Sequence, residues 1–380
     1  MSRREFSLKE ICDVEWGNTK LTKSSYISNG RFLAVSAAGA DGLIDHYEHE
    51  ANVPVLSAIG AQCGRMFFPG ARFTAIKNTI TLTPKDQMVD GKYLYYLFTH
   101  LELPQRGAGQ PFISKGDIEA FRVSIPTDLK EQREIVETLD FAFEELDSLE
   151  RNLQVSQGKL NQLFQSMISE AMSSPSDLEM SPLKELCTLF ADGDWIESKD
   201  QSNEGIRLVQ TGNVGSGFFK DRIEKSRWIS EETFKRLRCT EIVEGDVLVS
   251  RLPDPVGRAC LVPVLKDKAI TAVDCTIIRF DPKLVRSRYF IYYSQSSKYA
   301  SAISPLISGA TRQRISREKL GSILIPVPKL DIQDEIIEKL DGISAEISSL
   351  KELADARRFS LISLRQSLLS SAFTRIDEVA

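Results

Sequence analysis

Two arginines stand in the same local frame: Ser57, six residues, then Gly64-Arg65; and Ser250, six residues, then Gly257-Arg258. A guanidinium is a planar fork of donors that suits the O6/N7 edge of guanine or a carboxylate in a structural salt bridge. The shared frame marks the position, and residue type alone leaves both uses open. Other chemistry is poorly supplied. With only three histidines, His46, His49 and His100, imidazole-based metal or acid–base sites have few members to draw on. His46 and His49 with Asp41, Asp45 and Glu48 make no more than a chance metal cluster, and Asp254 with Asp267 and Asp274 only a weak case for a Mg2+ nuclease. No Walker A sequence, no Asn/Asp-Pro-Pro-Tyr/Phe methylation motif and no Gly-x-Gly-x-x-Gly after a strand occurs. Gly215-Ser-Gly217 is too short a match to count. Six scattered cysteines without a Cys-x-x-Cys pair read as reduced thiols of a cytoplasmic protein. The expectation is a chain with no catalytic residues and no metal ligands of its own.

Binding residues need a scaffold, and this chain supplies one twice. Gln132-x-Glu134-Ile135-Val136-Glu137-x-Leu139-Asp140 returns 201 residues later as Gln333-x-Glu335-Ile336-Ile337-Glu338-x-Leu340-Asp341, with six of nine positions identical. Leu8–Cys12 matches Leu183–Cys187 at an offset of 175, as do Leu33 and Gly42 with Leu208 and Gly217. The serine–glycine–arginine frame recurs at 193, and Thr74, Ala75 and Thr79 meet Thr271, Ala272 and Thr276 at 197. The offset grows mainly between Gly217 and Ser250, where surface loops would take up 18 extra residues. A chain that repeats itself builds two similar units.

Within each unit, short runs rich in β-branched and aromatic residues predict strands at Val53–Ser57, Phe73–Thr83, Asp246–Ser250 and Ala269–Phe280. Helices are expected near Lys92–His100 and Ser287–Ser301, and closing strands at Phe121–Pro126 and Ile323–Pro328. Trp16, Trp195 and Trp228 read as core or rim aromatics ahead of base-stacking platforms. After each unit an apolar seam runs at 4-3 spacing, Ile135 to Met167 and Ile336 to Leu368, broken only at Ser156 and Arg357. A partly exposed rod centre accounts for that break as well as a role in register does. Two heptad helices of about 40 residues, roughly 60 Å each, most economically bury each other, and antiparallel pairing would place the two units at opposite ends of one rod. The fold class is therefore α+β: two similar domains separated by two long helices that form an antiparallel coiled coil.

The formal net charge is −5, which by itself argues against a simple basic nucleic-acid binder. The acidity is concentrated, however: residues 127–172 and 329–380 sum to −9, leaving +4 for the globular parts. No apolar run reaches membrane-spanning length, and the first residues lead into no apolar signal core, so neither membrane nor export is expected.

These motifs, in this order and twice over, resemble the specificity subunit of type I restriction–modification enzymes. The resemblance rests on Ser308-Gly-Ala-Thr-Arg-Gln-Arg-Ile-Ser316 running to Ile325-Pro326-Val327-Pro328, and on Gly107-Ala-Gly-Gln-Pro-Phe-Ile-Ser114 running to Ile125-Pro126. It rests also on the Gln-x-x-Ile-[Val/Ile]-x-x-Leu-Asp opening of both helices. The helix ending Leu364-Arg-Gln-Ser-Leu-Leu-Ser-Ser-Ala-Phe373, echoed as Leu163-Phe-Gln-Ser-Met-Ile-Ser-Glu-Ala-Met172, is a third element. Gly245-Asp-Val-Leu-Val-Ser-Arg251 with Pro255-Val-Gly-Arg258 is similar to the family's DNA-reading region. The first unit departs from the pattern at Ala58–Gln62, which stands in place of the Arg251–Pro255 loop.

The resemblance implies a non-catalytic reader of double-stranded DNA. Residues 1–127 and 183–329 would be target recognition domains, 128–172 and 330–373 helical spacers, and 173–182 a linker. Each domain would read half of a bipartite, asymmetric site, with the coiled coil as ruler. Two methyltransferase subunits and restriction translocase subunits would dock on it and would carry the S-adenosylmethionine, ATP and Mg2+. Under that reading, forked and amide side chains are the candidate base contacts, with lysine and hydroxyl groups for phosphates. They are Ser36, Ser57, Gln62, Arg65, Lys77, Asn78, Arg106 and Gln110 in the first unit. In the second they are Gln210, Thr211, Asn213, Arg251, Arg258, Arg312 and Arg314. A solvated surface explains any one of them equally well, Arg65 and Arg258 excepted because their frame repeats. A coiled-coil adaptor would show no salt-sensitive duplex binding, and a divergent Mg2+-dependent nuclease would cleave DNA alone.

Overall fold

The duplication is realised as one strand plan built twice. In the computed structural model, which describes residues 3–85, 88–107, 109–172 and 179–374, the chain divides into two compact units. Unit 1 holds Met1–Gln154 with Asp355–Ala380, and unit 2 holds Val155–Ala354. Each long helix, Leu129–Ala171 and Leu330–Thr374, is thus shared between the units.

In unit 1, Arg3–Ser7 pairs with Arg122–Pro126. A second sheet runs Cys12–Trp16, Thr79–Pro84, Val55–Ser57, Met66–Phe67, and a third Gly39–Ile44, Phe32–Ser36, Phe73–Ala75. Unit 2 repeats this as Met180–Pro182 with Leu324–Pro326; then Cys187–Asp192, Cys275–Phe280, Val247–Ser250, Ala259–Leu261; then Gln201–Ser202, Arg227–Ile229, Ile206–Val209, Ala269–Thr271. In both third sheets one pair is parallel, Leu33 with Phe73 and Arg207 with Ala269. The predicted strands Phe73–Thr83 and Ala269–Phe280 are each two strands in two sheets. The chain turns between them, at Ile76–Asn78 with Asn78 in the left-handed region (φ 72°). Asparagine tolerates that conformation better than most residues because its short amide bonds locally. The expected helix Ser287–Ser301 is likewise two, Ser287–Tyr293 and Ser297–Ile303. The extra residues of unit 2 lengthen the connection between its antiparallel pair to 210–226 and supply the helix Glu231–Leu237, while Gln201–Ser202 adds a fourth strand to its third sheet.

Backbone pairing refines the repeat register. Gly17 donates to Thr79 O as Gly193 does to Cys275 O, and Asn18 to Ala75 O as Asp194 does to Thr271 O. In these turns the structural offset is therefore 196, one less than the 197 that residue identity suggests.

The two long helices pack together antiparallel. In unit 1 the first part of Leu129–Ala171 meets the end of Leu330–Thr374: Leu369 and Phe373 join the core of Tyr93, Phe143 and Leu146. Arg365 bonds Asp147 and lies 4.5 Å from the Phe143 ring centroid. In unit 2 Ile168 and Met172 share a core with Leu340, Tyr289 and Phe290. Burial keeps the 4-3 heptad spacing along both helices, with one of its two tracks a residue on from the predicted seam. Val136, Leu139, Phe143 and Leu146 are buried, while the predicted positions Leu149 and Leu163, and Leu350 and Leu364, stand about half exposed. Ser156 and Arg357 are both exposed.

The duplicated Gln and Asp of the helix openings have a structural task. Gln132 and Gln333 are fully buried. Gln333 Oε1 accepts from Arg286 N while its Nε2 donates to Leu284 O and Pro328 O. Gln132 does the same with Asp90 N, Met88 O and Pro126 O. Asp140 accepts from Tyr96 and Lys92, and Asp341 from Tyr292 and Arg288. The motif thus pins Gly91–His100, or Ser287–Tyr293, onto its long helix.

Candidate nucleic-acid interface

In unit 1 the candidates come together around three loops: the hairpin turn Ser36–Gly39, the loop Ala58–Arg65, and the turn Ile76–Thr79. Ser57 N donates to Arg65 O and Gly64 N to Ser57 O, closing the second loop on itself, and Ala58 N donates to Asn78 O, joining it to the third. Between the loops lies a cavity of about 330 Å3 whose lining includes Ser36, Gln62, Lys77 and Asn78. Arg65 is exposed, donates to Gln62 Oε1 at 3.1 Å and lies 5.4 Å from the Phe67 ring centroid. Arg106 and Gln110 sit on the adjoining hairpin, closed by Arg106 and Phe112, which exchange backbone hydrogen bonds; Gly60 N donates to Pro111 O, tying the hairpin to the loop. Arg106 pairs with Asp117.

Unit 2 builds three corresponding loops, the first lengthened to 210–226, and fills their junction. Arg258 is buried, and its guanidinium is spent on four carbonyls: Nε donates to Val214 O, Nη1 to Leu252 O and Pro255 O, and Nη2 to Thr211 O. Burial lowers its pKa below the usual arginine range, although the group stays charged. Arg251, also buried, donates to Val273 O at 2.6 Å and lies 3.4 Å from Asp192. Arg258, a candidate base contact from its sequence frame, is a brace between loops, with four of its five N–H donors used inside the fold. Asn213 is likewise engaged within the fold: its Oδ1 accepts from Gln210 N and its Nδ2 donates to Lys220 O. Ser57 in unit 1 is fully buried at the end of its strand. Gln210 and Thr211 are half-buried at the turn, and Arg312 and Arg314 are exposed on the hairpin closed by Ser308 and Arg314. That hairpin copies the one in unit 1. Gly309 and Gly107 both have positive φ (101° and 87°), and a Cβ on either would lie about 2.5 Å from the carbonyl oxygen three residues on. A glycine serves there because it alone meets both demands.

The contacts of two aspartates escaped the sequence reading. Asp41 gathers Lys23, Tyr26 and Ser36 beside the unit 1 cavity. Burial raises its carboxyl pKa, but the hydrogen bonds from those three outweigh this and hold it below the usual range. Asp192 lies between Arg251 and Arg317. These contacts join residues from separate strands and loops, so no local spacing announces them. The three tryptophans fall where aromatics of the rim would: Trp195 is 70% exposed, Trp16 41%, and Trp228 half-buried. Among the described residues no group of three or more His, Cys, Asp or Glu could hold a metal ion. His49 stacks on Phe73, and its burial lowers its pKa. Among them, too, no helix is long and apolar enough to cross a membrane.

Comparison with known proteins gives this geometry its context. The sequence profile of the type I restriction modification DNA specificity domain matches residues 3–157 and 175–356. The chain is 22% identical over 303 residues to the type I restriction enzyme MjaVIII specificity subunit of Methanocaldococcus jannaschii, covering 75% of this chain and 70% of that one. It is 19% identical over 401 residues to the EcoDI specificity subunit of Escherichia coli, covering 95% and 88%. Among solved structures, a chain described under complex assembly and conformational transition of the type I R-M system superposes with a TM-score of 0.73 at 18% identity, covering 98% of this chain and 97% of that one. The HsdS subunit from Thermoanaerobacter tengcongensis gives 0.54 at 19%, covering 98% and 96%.

Proposed function

This chain belongs to the type I restriction–modification DNA specificity family, whose members are non-catalytic subunits, and from that premise we propose that its two units read the two halves of a split, asymmetric duplex site. The observation that carries the proposal is the three-loop junction with its flanking hairpin. The backbone hydrogen bonds that close the second loop and join it to the third match between the units, while the first loop and the side chains at the matched positions differ. Matched frames suit the repeating geometry of a duplex, and different side chains make the two half-sites unlike. Domain limits of 1–127 and 183–329, with helical spacers at 128–172 and 330–373, follow the same reading.

The long helices then set the unread spacer, and their outer faces take the partners. Phe141 and Phe359 are each about 70% exposed in unit 1, and Leu350 and Leu353 about half exposed in unit 2. Apolar groups on an otherwise acidic surface suit protein docking better than DNA. Two methyltransferase subunits, with restriction translocase subunits, are the proposed occupants. They, not this chain, carry S-adenosylmethionine, ATP and Mg2+.

Co-expression with the cognate methyltransferase, followed by mapping of methylated adenines, tests this. The expected result is one split motif around a fixed gap. Salt-insensitive or absent duplex binding by that complex would favour the adaptor reading. Metal-dependent cleavage by the purified chain alone would favour the nuclease.

A further inference from the structure

We propose that the cavity of unit 1 is an adenine-reading pocket, a site for which unit 2 has no open counterpart. The argument begins with what fills the matching space in unit 2. Arg258 and Arg251 hold five carbonyls there; that of Val214 belongs to the connection lengthened in unit 2, and the other four belong to Thr211, Leu252, Pro255 and Val273. By the hydrogen-bond register their partners in unit 1 are Ala37, Ile59, Gln62 and Lys77, and all four line the cavity. The space is open for two reasons. Ala58 stands where unit 2 has Arg251, and Arg65 turns outward to Gln62 and Phe67 instead of inward. One unit therefore satisfies this junction with its own planar, donor-bearing group, and the other leaves it for a planar, donor-bearing group from outside.

The inference rests on the DNA-reading function proposed above, which supplies such a group. In the major groove the exocyclic amino groups are the base donors, adenine N6 and cytosine N4. The rim decides between them. Asn78 and Gln62 are amides, and an amide pairs with adenine through N6 and N7 at once, an arrangement cytosine lacks. Asn78 is held in place by its backbone, with its carbonyl accepting from Ala58 N and its φ positive. Three alanines and two isoleucines, with Thr22 and Ser36, complete the lining, and its apolar share favours a base over a phosphate. Lys77, exposed at the cavity, is placed for a phosphate alongside.

The test uses the full chain in complex with its methyltransferase and a duplex carrying the mapped site. Each adenine of the unit 1 half-site is replaced singly by 7-deazaadenine, which removes N7, or by purine, which removes the N6 amino group. At one position each change should weaken binding about tenfold, and in Asn78→Ala the same changes should cost nothing further. Ala37→Phe, which fills the cavity, should abolish the preference at that position while selectivity for the unit 2 half-site persists, showing that the protein is folded. A unit 1 half-site without adenine, or analogue losses equal in the wild type and Asn78→Ala, overturns the pocket. Loss of selectivity at both half-sites in the unmodified complex would instead overturn the DNA-reading function itself.

Discussion

Arg65 and Arg258 share a sequence frame and meet opposite surroundings. Removing Arg258 leaves four carbonyls of the junction without their donor, so Arg258→Met should destabilise unit 2 by about 3 kcal/mol or more, read as an earlier denaturant midpoint. Arg65→Met should change stability by less than about 0.5 kcal/mol but weaken DNA binding, lowering the slope of log affinity against log salt by about one if it meets a phosphate. Their shared frame was legible because the backbone loop demands it. Their fates were not, because Ala58 against Arg251 decides whether there is room inside. A second residue-scale effect lies at Asp194, whose carboxyl burial pushes up to about 6, against the hydrogen bond from Thr240 N. The folded chain holds this proton more tightly than the unfolded one. The contribution is therefore greatest below the ordinary carboxylate value of 3.8, drains away as pH rises to about 6, and changes no further above it. Asp194→Asn keeps the acceptor for Thr240, so it should raise the melting temperature at pH 7.5 while leaving it nearly unchanged at pH 4. Equal shifts at both values would rule this account out.

At the scale of elements, the strongest repeat in the sequence turns out to be a fastening. Gln132 and Gln333 each join three backbone groups at the root of a long helix. Gln333→Leu should cost about 3 kcal/mol by orphaning one N–H and two carbonyls, measured as loss of unit 2 stability in urea. Gln333→Glu should recover part of it, since a carboxyl oxygen still accepts from Arg286 N. The existence of the long helices, their antiparallel pairing and the closing strands could be read from periodicity and proline position. Strand breaks at Ile76–Asn78 and Ala272–Asp274 could not. Continuous β-branched runs hide a turn that only the sheets on either side require. The one-residue slip in the repeat has the same origin, since hydrogen bonds and not residue identities fix strand register.

At the scale of the whole molecule, charge division between mildly basic globular parts and acidic helices was visible in the sequence, and it sorts two kinds of expected effect. Charge reversal at Arg312 and Arg314 should weaken duplex binding and leave the methyltransferase bound. Replacing Phe141 and Phe359 by serine should release the methyltransferase and leave the fold intact, as read by sedimentation of the complex. If both variants altered only DNA binding, the assignment of the helices to protein docking would fail.

The allotment of residues 355–374 to unit 1 carries a consequence for biosynthesis. Leu369 and Phe373 complete a core whose other members precede them by more than two hundred residues. The ribosome therefore delivers everything unit 2 requires first, while unit 1, begun earlier, waits for its final turns. Until those arrive, Tyr93 and Phe143 lack their covering side chains, and the half-made protein presents a bare aromatic patch to chaperones. Arrest of translation near Ala354 should accordingly yield a protease-resistant unit 2 beside a protease-sensitive unit 1.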